Sequence, residues 1–93
     1  MNIDITSRGF NISDDLSDLV NKKLKKLLTF DKNISSVHVV LQKESRAEKV
    51  ELIVESKNNT YVAKRYSSVF EKTLFKAIDN IITQIKKNKI SNK

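Results

Sequence analysis

The stretch SDDLSDLVNKKLKKLLTF, residues 13–30, decides the fold predicted for this chain. Ser13 is a suitable N-cap, and the aspartates that follow it favour the positive end of a helix dipole. The apolar residues recur at spacings of three and four, which places them on one side of a helix; they are Leu16, Leu19, Val20, Leu24, Leu27 and Leu28. The stretch therefore predicts an amphipathic helix that packs a leucine stripe on a core.

Lys22, Lys25 and Lys26 point away from this stripe, and together with Lys23 they form a tract of four lysines. Lysines near a helix C-terminus complement the dipole, so a solvated structural role is one interpretation. Four cations within two turns also repel one another, and the dipole needs fewer of them. We interpret the surplus as favouring an external anion.

Alternating apolar and polar residues predict four strands around this helix. Residues 2–6 form the first strand, and the only glycine, Gly9, is expected in the turn that follows, together with Ser7 and Arg8. Residues 36–44 form the second strand. Residues 49–66 form a hairpin that turns at Asn58 and Asn59, because asparagine tolerates the left-handed backbone of tight turns.

The predicted alternation leaves Asp4, Glu51 and Glu55 on the solvent side of the sheet, which is therefore expected to be acidic. A second amphipathic helix follows, with Ser68 and Glu71 at the spacing of a capping box. It ends in a second lysine tract, formed by Lys86, Lys87 and Lys89. The predicted fold is α+β, in the order β-α-β-β-β-α, with a four-stranded sheet and two helices packed on one face, in a single domain spanning residues 1–93.

Composition excludes several function classes. The 93 residues contain no cysteine, one histidine and one glycine, so thiolate zinc sites, disulfides and glycine-rich phosphate loops are not expected. His38 is expected to be a surface strand residue, and the acids are not expected to form a catalytic pair. We predict no enzyme activity, no metal, no cofactor and no small-molecule substrate. Without a secretory leader or a long apolar run, the protein is expected to be cytosolic and not membrane-bound.

The charge balance points to a polyanion as partner. Lys and Arg number 18 against 11 Asp and Glu, which gives a net charge of +7 and a pI near 9.7. Tyr61 and Tyr66 on the last strand could stack on RNA bases, but edge or core packing is the preferred interpretation. Phosphate contacts from the helical side agree better with the residues.

Four segments together resemble the ribosome hibernation-promoting factor and ribosome-associated inhibitor A family. They are NIDITSRGFNIS (residues 2–13), DLVNKKLKKL (18–27), SVHVVLQKE (36–44) and LFKAIDNIITQIKK (74–87). The resemblance implies a factor that binds the small ribosomal subunit and the 70S ribosome through 16S rRNA in the decoding channel. It would block mRNA and tRNA and inhibit translation in idle ribosomes, as part of a stress response.

The resemblance also implies residue roles. The basic pair of the family's first helix falls on Lys23 and Lys26, and a late basic position of the second helix falls on Lys87. We add Arg8 from the basic opening turn and the clustered lysines, so the predicted RNA-binding set is Arg8, Lys22, Lys23, Lys25, Lys26, Lys86, Lys87 and Lys89.

The sequence departs from the family pattern at two places. Thr73-Leu74-Phe75 stands where the family has Asp-Met-Tyr, and Gln84 stands at a basic position. The chain matches the short form, without the C-terminal dimerisation domain, and is expected to be monomeric off the ribosome. Two alternatives stay open: a double-stranded RNA-binding module, and a small protein-interaction domain that uses the acidic sheet face.

Overall fold

The computed structural model describes residues 1–91 and has the predicted element order. The elements are β1 (Asn2–Arg8), α1 (Asp14–Leu24), a 3₁₀ helix (Lys25–Thr29), β2 (Ile34–Lys43), β3 (Glu48–Ser56), β4 (Thr60–Ser67) and α2 (Phe70–Ser91). The strands form one sheet in the order β1-β2-β3-β4, in which β1 is parallel to β2 and the other pairs are antiparallel. The α+β fold predicted from the sequence is confirmed.

The hydrophobic core lies between one face of the sheet and both helices. Alternate residues of β2 and β3 point into it and are almost fully buried, as strand geometry requires. Both helices contribute apolar residues to this cluster; of the predicted first stripe, Val20, Leu24 and Leu27 belong to it and Leu16 and Leu28 pack against it, whereas Leu19 does not. The fully buried large side chains include Leu24 and Leu27 from the first helical segment, Leu41 and Leu52 from the sheet, and Leu74, Ile81 and Ile85 from α2. We call the uncovered side of the sheet the open face.

The first helical segment is not one continuous α-helix. The α-helix ends at Leu24, and the chain tightens into the 3₁₀ helix, where Leu27 remains fully buried. Such tightening is common at helix C-termini because it supplies partners for carbonyls that lack a donor. The backbone N–H groups of Phe30 and Asp31 both donate to the Leu27 carbonyl, at 3.0 and 3.1 Å. The chain therefore leaves the 3₁₀ helix at Phe30 and Asp31 and turns toward β2.

The strand β1 is longer than the sequence predicted. Ser7 and Arg8 were expected in a turn, but they pair with Leu41 and Gln42 of β2. The turn begins at Gly9, whose φ of +83° lies in the left-handed region, as predicted. A side chain there would also place its Cβ 2.8 Å from the Lys43 carbonyl oxygen, so both conformation and space require glycine.

The β3–β4 hairpin turns at the predicted asparagines, but with a different backbone. Its closing hydrogen bond runs from the Ser56 N–H to the Asn59 carbonyl, at 2.8 Å. Among residues 1–91, no residue other than glycine has a positive φ, so Asn58 and Asn59 do not use the left-handed conformation that asparagine tolerates. The three-residue connection between the strands closes without it.

The cap of α2 comes from β3 and not from the predicted capping box. The helix begins at Phe70, so Ser68 lies two residues before it. The Phe70 N–H donates to the Glu48 carboxylate at 2.6 Å. A carboxylate at this position satisfies a free N–H and faces the positive end of the helix dipole. The predicted capping by Ser68 with Glu71 is therefore wrong, because the tertiary fold places a better acceptor at the helix start.

This cap predicts the effect of replacing Glu48. Glu48→Ala removes the acceptor and is expected to lower the free energy of unfolding by about 1–2 kcal/mol, measured by urea denaturation. Glu48→Gln keeps a neutral acceptor and should lower it less. Glu71→Gln is the matched control at an exposed site; a decrease there as large as in Glu48→Ala would contradict the assignment.

Candidate nucleic-acid interface

The first lysine tract lies at the end of α1 and the start of the 3₁₀ helix. Lys22, Lys25 and Lys26 are exposed, as a binding role requires. Lys23 is half-buried because its Nζ lies 4.7 Å from the centroid of the Phe75 ring on α2. This cation–π contact is attractive and fixes the direction of the lysine side chain. The first tract therefore contacts α2 through Lys23.

The second lysine tract lies in the last turns of α2 and contacts the end of the 3₁₀ helix. Lys86 places its Nζ 5.5 Å from the centroid of the Phe30 ring. Lys89 donates a hydrogen bond to the Phe30 carbonyl. These contacts join α2 to the residue that follows the first tract. We call the surface formed by both tracts the helical surface: Lys22, Lys23, Lys25, Lys26, Lys86, Lys87 and Lys89.

Two further lysines belong near the helical surface and were missed by the sequence analysis. Lys72 and Lys76 are exposed on α2, one turn before Phe75 and directly after it. In the sequence each stands alone, with Glu71 and Asp79 nearby, so charge clustering did not single them out. Lys23 of α1 contacts the Phe75 ring, which is 43% exposed, so the packing of α1 on α2 brings the first tract close to these two lysines.

Arg8 is separate from the helical surface. It is exposed at the last position of β1 and pairs with Gln42. Strand alternation puts it on the open face, because Ile3 and Ile5 of the same strand pack against the core. The structure therefore groups the seven predicted lysines on the helical side and puts the predicted arginine on the other side of the sheet.

The open face carries charges of both signs, so the acidic face expected from the sequence is wrong. Arg8, Lys49 and Lys64 lie there together with the predicted acids, as the register shows. Lys64 Nζ lies 3.5 Å from Glu51 Oε2. The prediction considered the acids on individual strands. The net charge of the open face depends on all the residues that the four strands place there.

The single histidine lies on the open face, where the parallel pairing of β1 and β2 gives it an acidic neighbour. His38 Nδ1 lies 2.9 Å from Asp4 Oδ2, and both side chains are substantially exposed. The sequence contained no sign of this pair, because the two residues are 34 positions apart. No group of three or more histidine and acidic residues within residues 1–91 could hold a metal ion. No helix in the same range is long and apolar enough to cross a bilayer.

The model of the family described as sigma 54 modulation protein / S30EA ribosomal protein matches residues 3–92. The chain belongs to this family. The family model and the similar solved structures confirm the resemblance to the hibernation-promoting factors.

Solved structures agree with this membership of the S30EA family. A ribosomal subunit interface protein from Coxiella burnetii matches with a TM-score of 0.90 and 28% identity, over 97% of this chain and 99% of that chain. The N-terminal domain of Thermus thermophilus Protein Y matches with a TM-score of 0.85 and 25% identity, over 94% of this chain and 98% of that chain. No curated protein sequence matches the chain.

The two departures from the S30EA family pattern have structural roles. Thr73 is fully buried, and its Oγ1 lies within hydrogen-bond distance of the Ser67 hydroxyl, at 2.5 Å, and of the Glu48 carbonyl, at 3.0 Å. It joins the start of α2 to the β3 and β4 ends. Gln84 donates to the Val62 carbonyl of the edge strand β4 at 2.8 Å. Neither position needs a charge for these contacts.

A polar pocket of about 190 Å³ adjoins the helical surface at Lys89. Its lining includes Tyr61, whose hydroxyl accepts a hydrogen bond from the Asn88 amide at 3.3 Å. Burial raises the pKa of Tyr61, and the carboxylate of Asp31 raises it further, while the bond from Asn88 acts in the opposite direction. Tyr61 is thus a core residue with its hydroxyl held at a polar site.

The raised pKa of Tyr61 can be measured in a variant with one tyrosine. The chain has two tyrosines, so Tyr66→Phe leaves Tyr61 alone, and its absorbance titration should have a midpoint above the ordinary value of about 10. The neutral phenol contributes fully to the free energy of unfolding at pH values below that ordinary pKa. This contribution is lost as the pH rises through the pKa of Tyr61 in the folded protein. Tyr61→Phe should remove this alkaline loss of stability; an unchanged pH dependence in Tyr61→Phe would contradict the interpretation.

Proposed function

We propose that this protein is a non-catalytic ribosome hibernation factor. It binds the small subunit, alone or within the 70S ribosome, through 16S rRNA in the decoding channel. Bound there, it blocks mRNA and tRNA and inhibits translation in idle ribosomes under stress. The observation that carries the proposal is the grouping of two lysine tracts on one helical surface in a member of the S30EA family.

Electrostatics support RNA as the partner of the helical surface. Lysine ammonium groups act as point charges for phosphate oxygens, and each contact releases condensed counterions from the RNA. The net charge of +7 also favours rapid association with a polyanion. Binding of this kind depends on backbone geometry more than on base sequence, which agrees with a helical side that presents lysines and few groups for reading bases.

Contacts within the protein prepare part of the helical surface before RNA arrives. Lys23 and Lys86 are each held over an aromatic ring, Phe75 and Phe30 respectively. An oriented lysine loses less side-chain entropy on binding than a free one. Lys89 already donates to a carbonyl, so its main role in the proposal is to hold α2 against the 3₁₀ helix. Lys22, Lys25, Lys26 and Lys87 remain as the exposed phosphate ligands.

The two alternatives from the sequence are less well supported. A double-stranded RNA-binding module begins with its first helix, whereas β1 here is an integral strand that pairs with β2 along seven residues. A protein-interaction domain was suggested by an acidic sheet face, and that face carries both signs. We therefore retain the ribosome-binding proposal, with a cytoplasmic protein that is monomeric off the ribosome.

Sucrose-gradient sedimentation tests the proposed function. The protein is expected to travel with 30S and 70S particles at low salt and to leave them as the salt concentration rises, because phosphate contacts dominate. Isolated 50S particles are the control and should not carry it. A protein that stays at the top of the gradient with 30S and 70S particles at low salt would refute the proposal.

Removing charges from the helical surface tests which residues bind the 30S particle. The double variant Lys22→Gln/Lys26→Gln should weaken binding to 30S particles and flatten the slope of log affinity against log salt by about one unit for each lysine–phosphate interaction that the substitutions remove. Its unfolding transition should be nearly unchanged, since both side chains are exposed.

The matched control for this variant is Lys43→Gln/Lys64→Gln, which removes the same charge from exposed strand positions. It should keep most of the affinity for 30S particles. An equal decrease in affinity in both double variants would mean that net charge, and not the helical surface, governs binding.

A further inference from the structure

A row of four residues crosses the open face at the end where β1, β2 and β4 terminate and β3 begins. Arg8 pairs with Gln42, Gln42 with Lys49, and Lys49 with Tyr66. Paired residues on neighbouring strands lie about 5 Å apart and point to the same side of a sheet. We call Arg8, Gln42, Lys49 and Tyr66 the sheet-face row. It lies on the opposite side of the sheet from the helical surface.

The two tyrosines of the last strand have opposite environments. Tyr61 is 5% exposed and belongs to the core, whereas Tyr66 is 54% exposed on the open face. Lys49 Nζ lies 5.8 Å from the centroid of the Tyr66 ring. Core packing therefore describes Tyr61, whereas Tyr66 is exposed on the edge strand β4. An exposed aromatic ring beside a cation on a sheet face is a surface on which a nucleic-acid base can stack.

The cations of the sheet-face row are available to an external anion. Within the described part of the chain, neither Arg8 nor Lys49 forms an ion pair. The acid nearest to Lys49 in sequence is Glu48, whose carboxylate accepts from the Phe70 N–H at the start of α2. Arg46, in the turn beyond the row, is also exposed and adds positive charge at this end, beside the exposed acid Glu44.

We propose that the sheet-face row binds a segment of single-stranded RNA. Tyr66 stacks on an unpaired base, Arg8 and Lys49 contact the flanking phosphates, and the Gln42 amide donates to or accepts from a base edge or ribose. The inference rests on the proposed function only in taking RNA as the partner. Because the row and the helical surface face opposite directions, one protein can hold an RNA strand while its helices are on the ribosome.

The chemistry of the row selects a single strand over a duplex. Bases in an A-form duplex are stacked on one another, and their flat faces are not accessible to a side chain. A ring on an open sheet can stack only on an unstacked base, as in other sheet-based RNA-binding modules. Arginine and lysine beside the ring then supply the salt-dependent part of the affinity.

Intrinsic fluorescence gives a direct test of stacking on Tyr66. The chain has no tryptophan and two tyrosines, so the Tyr61→Phe variant contains Tyr66 as its single fluorophore. Titration with a ten-nucleotide oligouridylate at low salt should quench this fluorescence, whereas a ten-base-pair RNA duplex should not. Fluorescence that is unchanged by the single strand, or quenched equally by the duplex, would overturn the proposal.

Substitutions in the row should weaken binding of the same fluorescently labelled oligouridylate, measured by anisotropy. Tyr66→Ala is expected to weaken it by about fivefold or more, and Tyr66→Phe, which keeps the ring, by less than about twofold. Lys49→Gln should weaken binding and reduce its salt dependence. Lys57→Gln, which removes the same charge from the turn at the other end of the sheet, is the control. Equal affinities for Tyr66→Ala and the unsubstituted protein would overturn the proposal.

Sedimentation of the same variants separates this inference from the proposed function. Tyr66→Ala should still travel with 30S particles, because the helical surface is intact, while its oligouridylate affinity falls. If the unsubstituted protein binds oligouridylate through Tyr66 but does not sediment with ribosomes, the proposed function fails and the sheet-face row stands. If Lys22→Gln/Lys26→Gln abolishes oligouridylate binding and Tyr66→Ala does not weaken it, the single strand belongs on the helical surface and the inference is wrong.

Discussion

The apolar stripes of α1 and α2 both pack on the inner face of the four-stranded sheet, which is the one surface that can bury them. Leu24 and Leu27 from the first helical segment and Ile81 and Ile85 from α2 are almost fully buried against that face. Burial of such side chains stabilises a domain of this size more than any other single contribution. Every other feature of the surface follows from this packing, because it fixes which sides of the helices and of the sheet remain in water.

Packing on one face divides the charged residues into two groups. The backs of both helices carry lysines, and the contacts of Lys23 with Phe75 and of Lys86 with Phe30 join the two tracts into one surface. The open face receives the alternate residues of all four strands, so its charges come from distant parts of the chain. The result is a basic helical side and a mixed sheet side with an exposed tyrosine, which offer RNA two different kinds of contact.

Several side chains hold the elements in place through contacts that cross the fold. Glu48 from β3 caps α2, and the buried Thr73 hydroxyl lies within hydrogen-bond distance of the Glu48 carbonyl. Gln84 from α2 satisfies a carbonyl of the edge strand β4. Free carbonyls on an edge strand can pair with a strand of another molecule. The bond from Gln84 therefore blocks one such carbonyl and also anchors the helix. Residues that depart from the S30EA pattern thus have structural roles of their own.

The sequence by itself determined the elements, their order and the core, together with the family and the lysine tracts. These features depend on periodicity and on clustering along the chain, and both are properties of residues that are close in sequence. Only the tertiary structure decided that Glu48 caps α2, that Arg8 lies apart from the lysines, and that Tyr61 is buried while Tyr66 is exposed. The physical reason is strand register: pairing brings together residues far apart in sequence, such as Arg8 with Gln42 and Lys49 with Tyr66, and alternation within one strand does not specify those partners.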